Sequence, residues 1–156
     1  MLSASYSYLL LLLPAVPLAR DDFRTRRVGV VWLAVFGVTA LAVGGLCDGW
    51  RTMLLHAAVN ALLLGLLGVL LAAYLRLCRK RIDRSLGAGD AVFLLVITLL
   101  FSPEAYLHFL IAACVLALVW WTFLRPPRRS TIPFVGVAGI ALGGWILVKI
   151  IRVWLS

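Results

Sequence analysis

Six apolar runs, at about 3–19, 28–46, 53–75, 89–102, 104–124 and 133–151, fill almost the whole of this 156-residue chain. A helix needs about 20 mostly apolar residues to cross a bilayer, so a chain divided this way has no room for a sizeable aqueous domain. The composition agrees: 64% of residues are apolar and 13% charged, against about 45–50% and about 25% in ordinary soluble domains. The expected fold is all-α, a polytopic transmembrane helix bundle of six spans forming one domain over residues 1–156. The fourth run is short for a full crossing. Ser102-Pro103-Glu104 divides it from the fifth, since Ser suits a helix N-cap, Pro the first helical position and Glu the positive helix start. Runs four and five should therefore form a tight hairpin. Leu9–Leu13 has the look of a secretory signal core, but Met1–Tyr8 carries no basic residue and the arginines come after it. The first run is accordingly expected to be a retained span.

Positive charge supplies the orientation. Twelve of the 15 basic residues fall in alternate connections: Arg20, Arg24, Arg26 and Arg27; Arg76, Arg79, Lys80, Arg81 and Arg84; Arg125, Arg128 and Arg129. By the positive-inside rule these loops face the cytoplasm, which puts both termini outside. Lys149 and Arg152 then lie on the outer side, where long basic side chains snorkel to the interface. Trp120, Trp121, Trp145 and Trp154 stand near span ends, as an aromatic belt would. The net charge of +9 is thus a topology signal, and the expected partner is the lipid bilayer, with no nucleic acid. Cys47, Cys78 and Cys114 are far apart and suggest neither disulfides nor zinc; they are expected to be buried as small hydrophobes. No metal or cofactor site is indicated.

Acidic residues are scarce enough to take singly: Asp21, Asp22, Asp48, Asp83, Asp90 and Glu104. Asp90 enters the fourth apolar run directly, where a carboxylate near hydrocarbon needs a partner or a task. It ends Gly87-Ala88-Gly89-Asp90, whose glycines let the backbone turn sharply and approach a neighbour closely. The plain structural role is a helix-start carboxylate held by free N–H groups. Asp21-Asp22-Phe23-Arg24-Thr25-Arg26-Arg27 places carboxylates in the same way ahead of the second span.

An apolar span, an Asp-x-Arg-x-Arg-x segment, two further spans, a basic loop and then Gly-x-Gly-Asp opening a fourth span resembles the type IV prepilin peptidases. The likeness is to their small peptidase-only members, the preflagellin and tight-adherence prepilin peptidases. It runs over most of the chain, and Ile132-Pro133-Phe134 before the last span is similar to the family's C-terminal part. The resemblance implies a polytopic aspartic endopeptidase of a bacterial or archaeal cytoplasmic membrane. Its catalytic pair would be Asp22 and Asp90, with Gly87, Gly89, Arg24 and Arg27 as supporting motif residues. The substrate would be a prepilin or pseudopilin-like membrane protein, cut at the cytoplasmic face behind a short leader. The chain lacks the paired Cys-x-x-Cys insertion of larger members, which implies cleavage without N-methylation. Two motif positions differ: Val28-Gly29-Val30 stands where the family has Ile-Pro-Asn, and Val92 where it has Lys.

Two adjacent carboxylates cannot both ionise easily, so one keeps a proton while the other activates water. Asp21 stands beside Asp22, and only the spacing to the arginines separates the two. Asp83 lies among Arg81 and Arg84 and is expected to pair weakly with them. His56 and Asn60 are one turn apart on the third span, suited to an interhelical hydrogen bond. Glu104 and His108 share a face near the outer surface, and Gly139 and Gly143 form a Gly-x-x-x-Gly for close packing. The arginines at 125, 128 and 129 suit lipid headgroups. Two other readings remain open: an inactive relative that binds pilin-like helices, and a small transporter or assembly subunit whose carboxylates carry protons or ions.

Overall fold

The computed structural model describes residues 6–26, 28–78, 87–124 and 132–155. Six helices account for nearly all of them, and no strand occurs among the described residues. They are α1 (Leu12–Thr25), α2 (Val30–Asp48), α3 (Trp50–Leu77), α4 (Ala88–Ile97), α5 (Pro103–Val119) and α6 (Phe134–Leu155). A 3₁₀ turn at Tyr8–Leu11 leads into α1, and a π-helical turn at Trp120–Leu124 extends α5. Four helices are long and apolar enough to cross a membrane: α2, α3, α5 with its extension to Phe123, and α6. α1 and α4 are not among them. α3, with 28 residues, is about 42 Å long, whereas the ten residues of α4 reach only about 15 Å.

The helices follow the six apolar runs with three informative departures. The first helix continues through Arg20, Asp21 and Asp22 to Thr25, six residues past the end of its apolar run, because nothing helix-breaking intervenes before Arg26. The fourth ends at Ile97, and Thr98–Leu100 turn by short-range bonds from Thr98, Leu99 and Leu100 N–H groups to carbonyls three residues back. Ser102 occupies the N-cap position of α5 with Pro103 behind it, but its side chain makes no capping bond. Instead its backbone carbonyl accepts from the Tyr106 N–H at 2.8 Å. α2 turns into α3 through the single residue Gly49 at φ 80°, a conformation open to glycine at little cost.

α6 packs mainly on α1 and α5, and α4 lies against α2, α3 and α6. The core is aromatic along this seam. Phe36 of α2 stacks on Phe93 of α4 at 5.3 Å between centroids, and Phe101 meets Trp145 at 4.3 Å and Phe109 at 5.1 Å. Trp145 is half-buried against this core and also meets Tyr8 edge-on. Trp154 does sit at a helix end, donating to the Tyr6 hydroxyl at 3.0 Å. Lys149 lays its ammonium 3.7 Å from the centre of the Tyr8 ring, a cation–π contact that keeps a charge inside the bundle. Gly139 and Gly143 face Ala19 and Leu12, so the Gly-x-x-x-Gly serves the α1–α6 contact. The outer surface carries many exposed Leu and Val side chains, α3 most of all. Cys78 and Cys114 are exposed and Cys47 is half-buried. The expectation of three buried thiols therefore fails: Cys78 lies past the end of α3, and Cys114 points outward from α5.

Asn60 is fully buried and closes the α4–α5 corner. Its amide nitrogen donates to the Thr98 carbonyl at 3.2 Å and to the Phe101 carbonyl at 2.8 Å. Both acceptors are backbone carbonyls of the turn between α4 and α5. His56, one turn earlier, is half-exposed and takes no part in this clamp.

Candidate functional site

Asp22 is 4% exposed, among the few buried polar residues of the described chain. It lies on the last turn of α1, not before α2, because the helix runs on past the apolar segment. A carboxylate at a helix C-terminus opposes the helix dipole, so its place needs a compensating partner. The start of α6 provides one. The Gly136 N–H donates to Asp22 Oδ2 at 2.8 Å, and the Val135 N–H is a further donor. The remaining first-turn donors are accounted for locally, Phe134 N–H to the Ile132 carbonyl and Val137 N–H to the Pro133 carbonyl, each at 3.0 Å. Pro133 has no side chain able to cap. Asp22 thus caps α6 from another helix, with bonds to a charged acceptor worth about 1.5–3 kcal/mol each.

The close approach depends on Gly136. A Cβ there would stand 2.7–3.0 Å from three atoms of the Phe23 ring, and Phe23 in turn meets Trp120 at 5.0 Å. Asp21, although adjacent, turns elsewhere: its Oδ2 lies 3.3 Å from where a Gly29 Cβ would be. Burial and direction therefore separate the two aspartates where spacing to the arginines alone was available.

Asp90 is the third residue of α4 and accepts from the Gly87 N–H at 3.3 Å, the helix-start role that its position suggested. Gly89 is required for a different reason. A Cβ on it would come within 2.7 Å of Val28 Cγ2, so the start of α4 lies directly against the α1–α2 link. The motif thereby brings Asp90 to the end of the bundle that holds Asp22, close enough for the Asp22 charge to act on it.

Arg26 completes this end. It terminates α1 at φ 57°, the one non-glycine residue with positive φ among those described, and its N–H donates to the Asp22 carbonyl at 3.1 Å. Its guanidinium Nε and Nη1 are buried, and its charge acts on the Asp22 carboxylate. Asp22 lies beyond the apolar run of the first helix; there burial pushes its carboxyl above the usual range, opposed by the Gly136 N–H, Arg26 and the Val135 N–H. Arg24, expected as a supporting residue, is exposed. Arg27, Asp83, Arg84 and the arginines at 125, 128 and 129 lie outside the described residues. Val92, at the position where a Lys was looked for, is 45% exposed on α4. His108 is bonded to the Glu104 carbonyl at 3.0 Å. It lines a separate groove of about 560 Å³ between α5 and α6 with Lys149 and Arg152. No group of three His, Cys, Asp or Glu suited to a metal occurs among the described residues.

No family model, curated protein or solved structure matches this chain.

Proposed function

We propose that this chain is a small membrane aspartic endopeptidase of the prepilin peptidase type, with Asp22 and Asp90 as its catalytic pair. One observation carries the reading: two of the chain's six acidic residues, from helices distant in sequence, come to one end of the bundle, where Gly89 lies against Val28 and the Asp22 charge acts on Asp90. Scarce carboxylates brought together at an apolar boundary are the arrangement acid–base hydrolysis needs. In the reaction the ionised carboxylate takes a proton from water as the water oxygen attacks the substrate carbonyl carbon. The protonated carboxyl gives its proton to the carbonyl oxygen, forming a gem-diol. The C–N bond then breaks as the first carboxyl returns its proton to the leaving nitrogen and the second recovers one from the gem-diol. The proton inventory closes after each turnover, with one water consumed.

The topology belongs to the same proposal. The first apolar run, 3–19, crosses as a retained span that ends before Asp22, and α4 crosses as the short arm of a hairpin with α5. Six crossings with the N-terminus outside put both carboxylates at the cytoplasmic face of a bacterial or archaeal membrane. That is where a pilin-like substrate exposes its leader while its apolar helix stays in the bilayer. Such a site releases the leader without N-methylation and uses no cofactor.

The test is co-expression with prepilins of the same genome, following the leader by mass. Processing that stops in both Asp22→Asn and Asp90→Asn supports the reading; processing that survives both changes ends it. One observation favours a second reading, an inactive relative that binds pilin-like helices: Asp22 already serves α6 as a cap. Capture of an unprocessed prepilin by the parent chain, with no cleavage of any native prepilin, would establish that one.

A further inference from the structure

We propose that Arg26 is a positioning residue that makes Asp22 the ionised, water-activating member of the pair and leaves Asp90 as the proton donor. This rests on the peptidase reading and assigns to each carboxylate a role that reading leaves open.

The two carboxylates are not in equivalent surroundings. Asp22 faces the Gly136 and Val135 N–H groups at the positive end of α6. Both favour its charged form and oppose the burial that pushes its carboxyl up. Asp90, among the described residues, accepts the longer 3.3 Å contact from Gly87 and faces the Asp22 charge. Among the described residues, Arg26 at the end of α1 is the charged group that acts on Asp22, while Asp21 beside it turns toward Gly29. The facing parts of α6 and of the link, Val135, Gly136, Val28 and Gly29, contribute no titratable side chain.

Arg26 is the component that backbone economy does not explain. A left-handed residue ending a helix is usually glycine, and an L side chain there is strained. Strain of this kind persists where the surroundings hold it and gathers at functional sites. Here the left-handed turn at φ 57° reverses the chain immediately after Asp22. The Arg26 guanidinium Nε and Nη1 are buried, and its charge acts on the Asp22 carboxylate. A glycine would make the same turn and bring no charge. In the reaction the Asp22 carboxylate, held charged, takes the water proton, and Asp90 passes its own proton to the substrate carbonyl oxygen.

The experiment is the pH profile of prepilin processing by the full chain in membranes, for the parent, Arg26→Asn and Arg26→Lys. Asn tolerates the left-handed region, so Arg26→Asn removes the charge and keeps the turn; Arg26→Gly serves if that variant does not accumulate. The acidic limb of kcat/KM reports ionisation of the water-activating carboxylate. Losing a cation beside it moves that limb to higher pH, by at least about one unit for a charge within contact range. Arg26→Lys should restore the parent limb at least in part. A uniform loss of rate with an unmoved limb in both charge-removing variants overturns the inference, since a purely structural role lowers the profile without displacing it. A parent that processes no prepilin overturns the peptidase reading itself, a result distinguishable from the former because no profile exists to shift.

Discussion

Replacing Gly136 by Ala tests the cross-helix cap directly. A Cβ at this position would lie 2.7 Å from Phe23 Cε2 and 2.9 Å from Cδ2, whereas relaxed carbon contacts fall at about 3.5–4.0 Å. The first turn of α6 and the last turn of α1 must therefore separate by about 0.8 Å, because the Phe23 ring already has Trp120 beside it at 5.0 Å. The same movement would stretch the 2.8 Å bond between the Gly136 N–H and Asp22 to about 3.6 Å, too long for a hydrogen bond. Overpacking costs about 1–3 kcal/mol and the lost bond to a charged acceptor about 1.5–3 kcal/mol. Ala returns about 1 kcal/mol in helix propensity. Because the two costs share one displacement, the expected net destabilisation is about 2–3 kcal/mol. Reversible unfolding of the purified protein in mixed micelles would measure it, in a double-mutant cycle with Phe23→Ala, which removes all three ring atoms that crowd the new methyl group. A coupling energy above about 0.5 kcal/mol, with the double variant more stable than the sum of the single effects requires, is expected. A neutral or stabilised Gly136→Ala, or additive effects, would refute the claim that Phe23 and Gly136 set the α1–α6 spacing at the site.

Three further outcomes are expected. Asn60→Leu should lower stability by about 2 kcal/mol, measured by the same unfolding equilibrium, because two carbonyls at the α4–α5 corner lose their donor. Asp22→Asn, which keeps an acceptor for Gly136, should fold like the parent, and it should show a flatter pH dependence of stability. With its folded pKa raised by burial, Asp22 favours folding at pH values below the ordinary carboxylate pKa of about 3.9, and this advantage is lost as pH rises through the folded value; melting across that range reads the difference. Cys78, exposed past the end of α3, should react with a membrane-impermeant maleimide only after cells are opened; labelling in intact cells would reverse the proposed orientation.

The helices were legible in the sequence because apolar runs and their breaks are local. Their ends were less so. Arg20, Asp21 and Asp22 end an apolar run without ending a helix, since charge does not terminate a helix that still has good hydrogen-bond geometry. For that reason Asp22 was expected ahead of the second span and instead closes the first. Asp90 and its glycines were visible as a motif, but the reason for Gly89 was not, because it lies in contact with Val28, 61 residues away in the sequence. The bond from Gly136 to Asp22 spans 114 residues and leaves no local trace beyond a proline that cannot cap its own helix. Arg26 stood in the sequence as one of four arginines in a basic segment, and nothing in their spacing distinguished the residue that takes the left-handed turn from Arg24, which points outward.

The shortness of α4 has a mechanical consequence. At ten residues it is a stiff strut of about 15 Å, seated against Val28 at one end and hung from Asn60 at the other. Displacing the far anchor would move the strut as a body, so an error of an ångström at Asn60 would arrive almost undiminished at Asp90. Under the proposed peptidase reading, random mutagenesis that selects for lost processing should therefore recover changes at Asn60 alongside those at the carboxylates. Shortness, which left this helix outside the set long enough to cross a membrane, makes it a stiff link between the Asn60 clamp and Asp90.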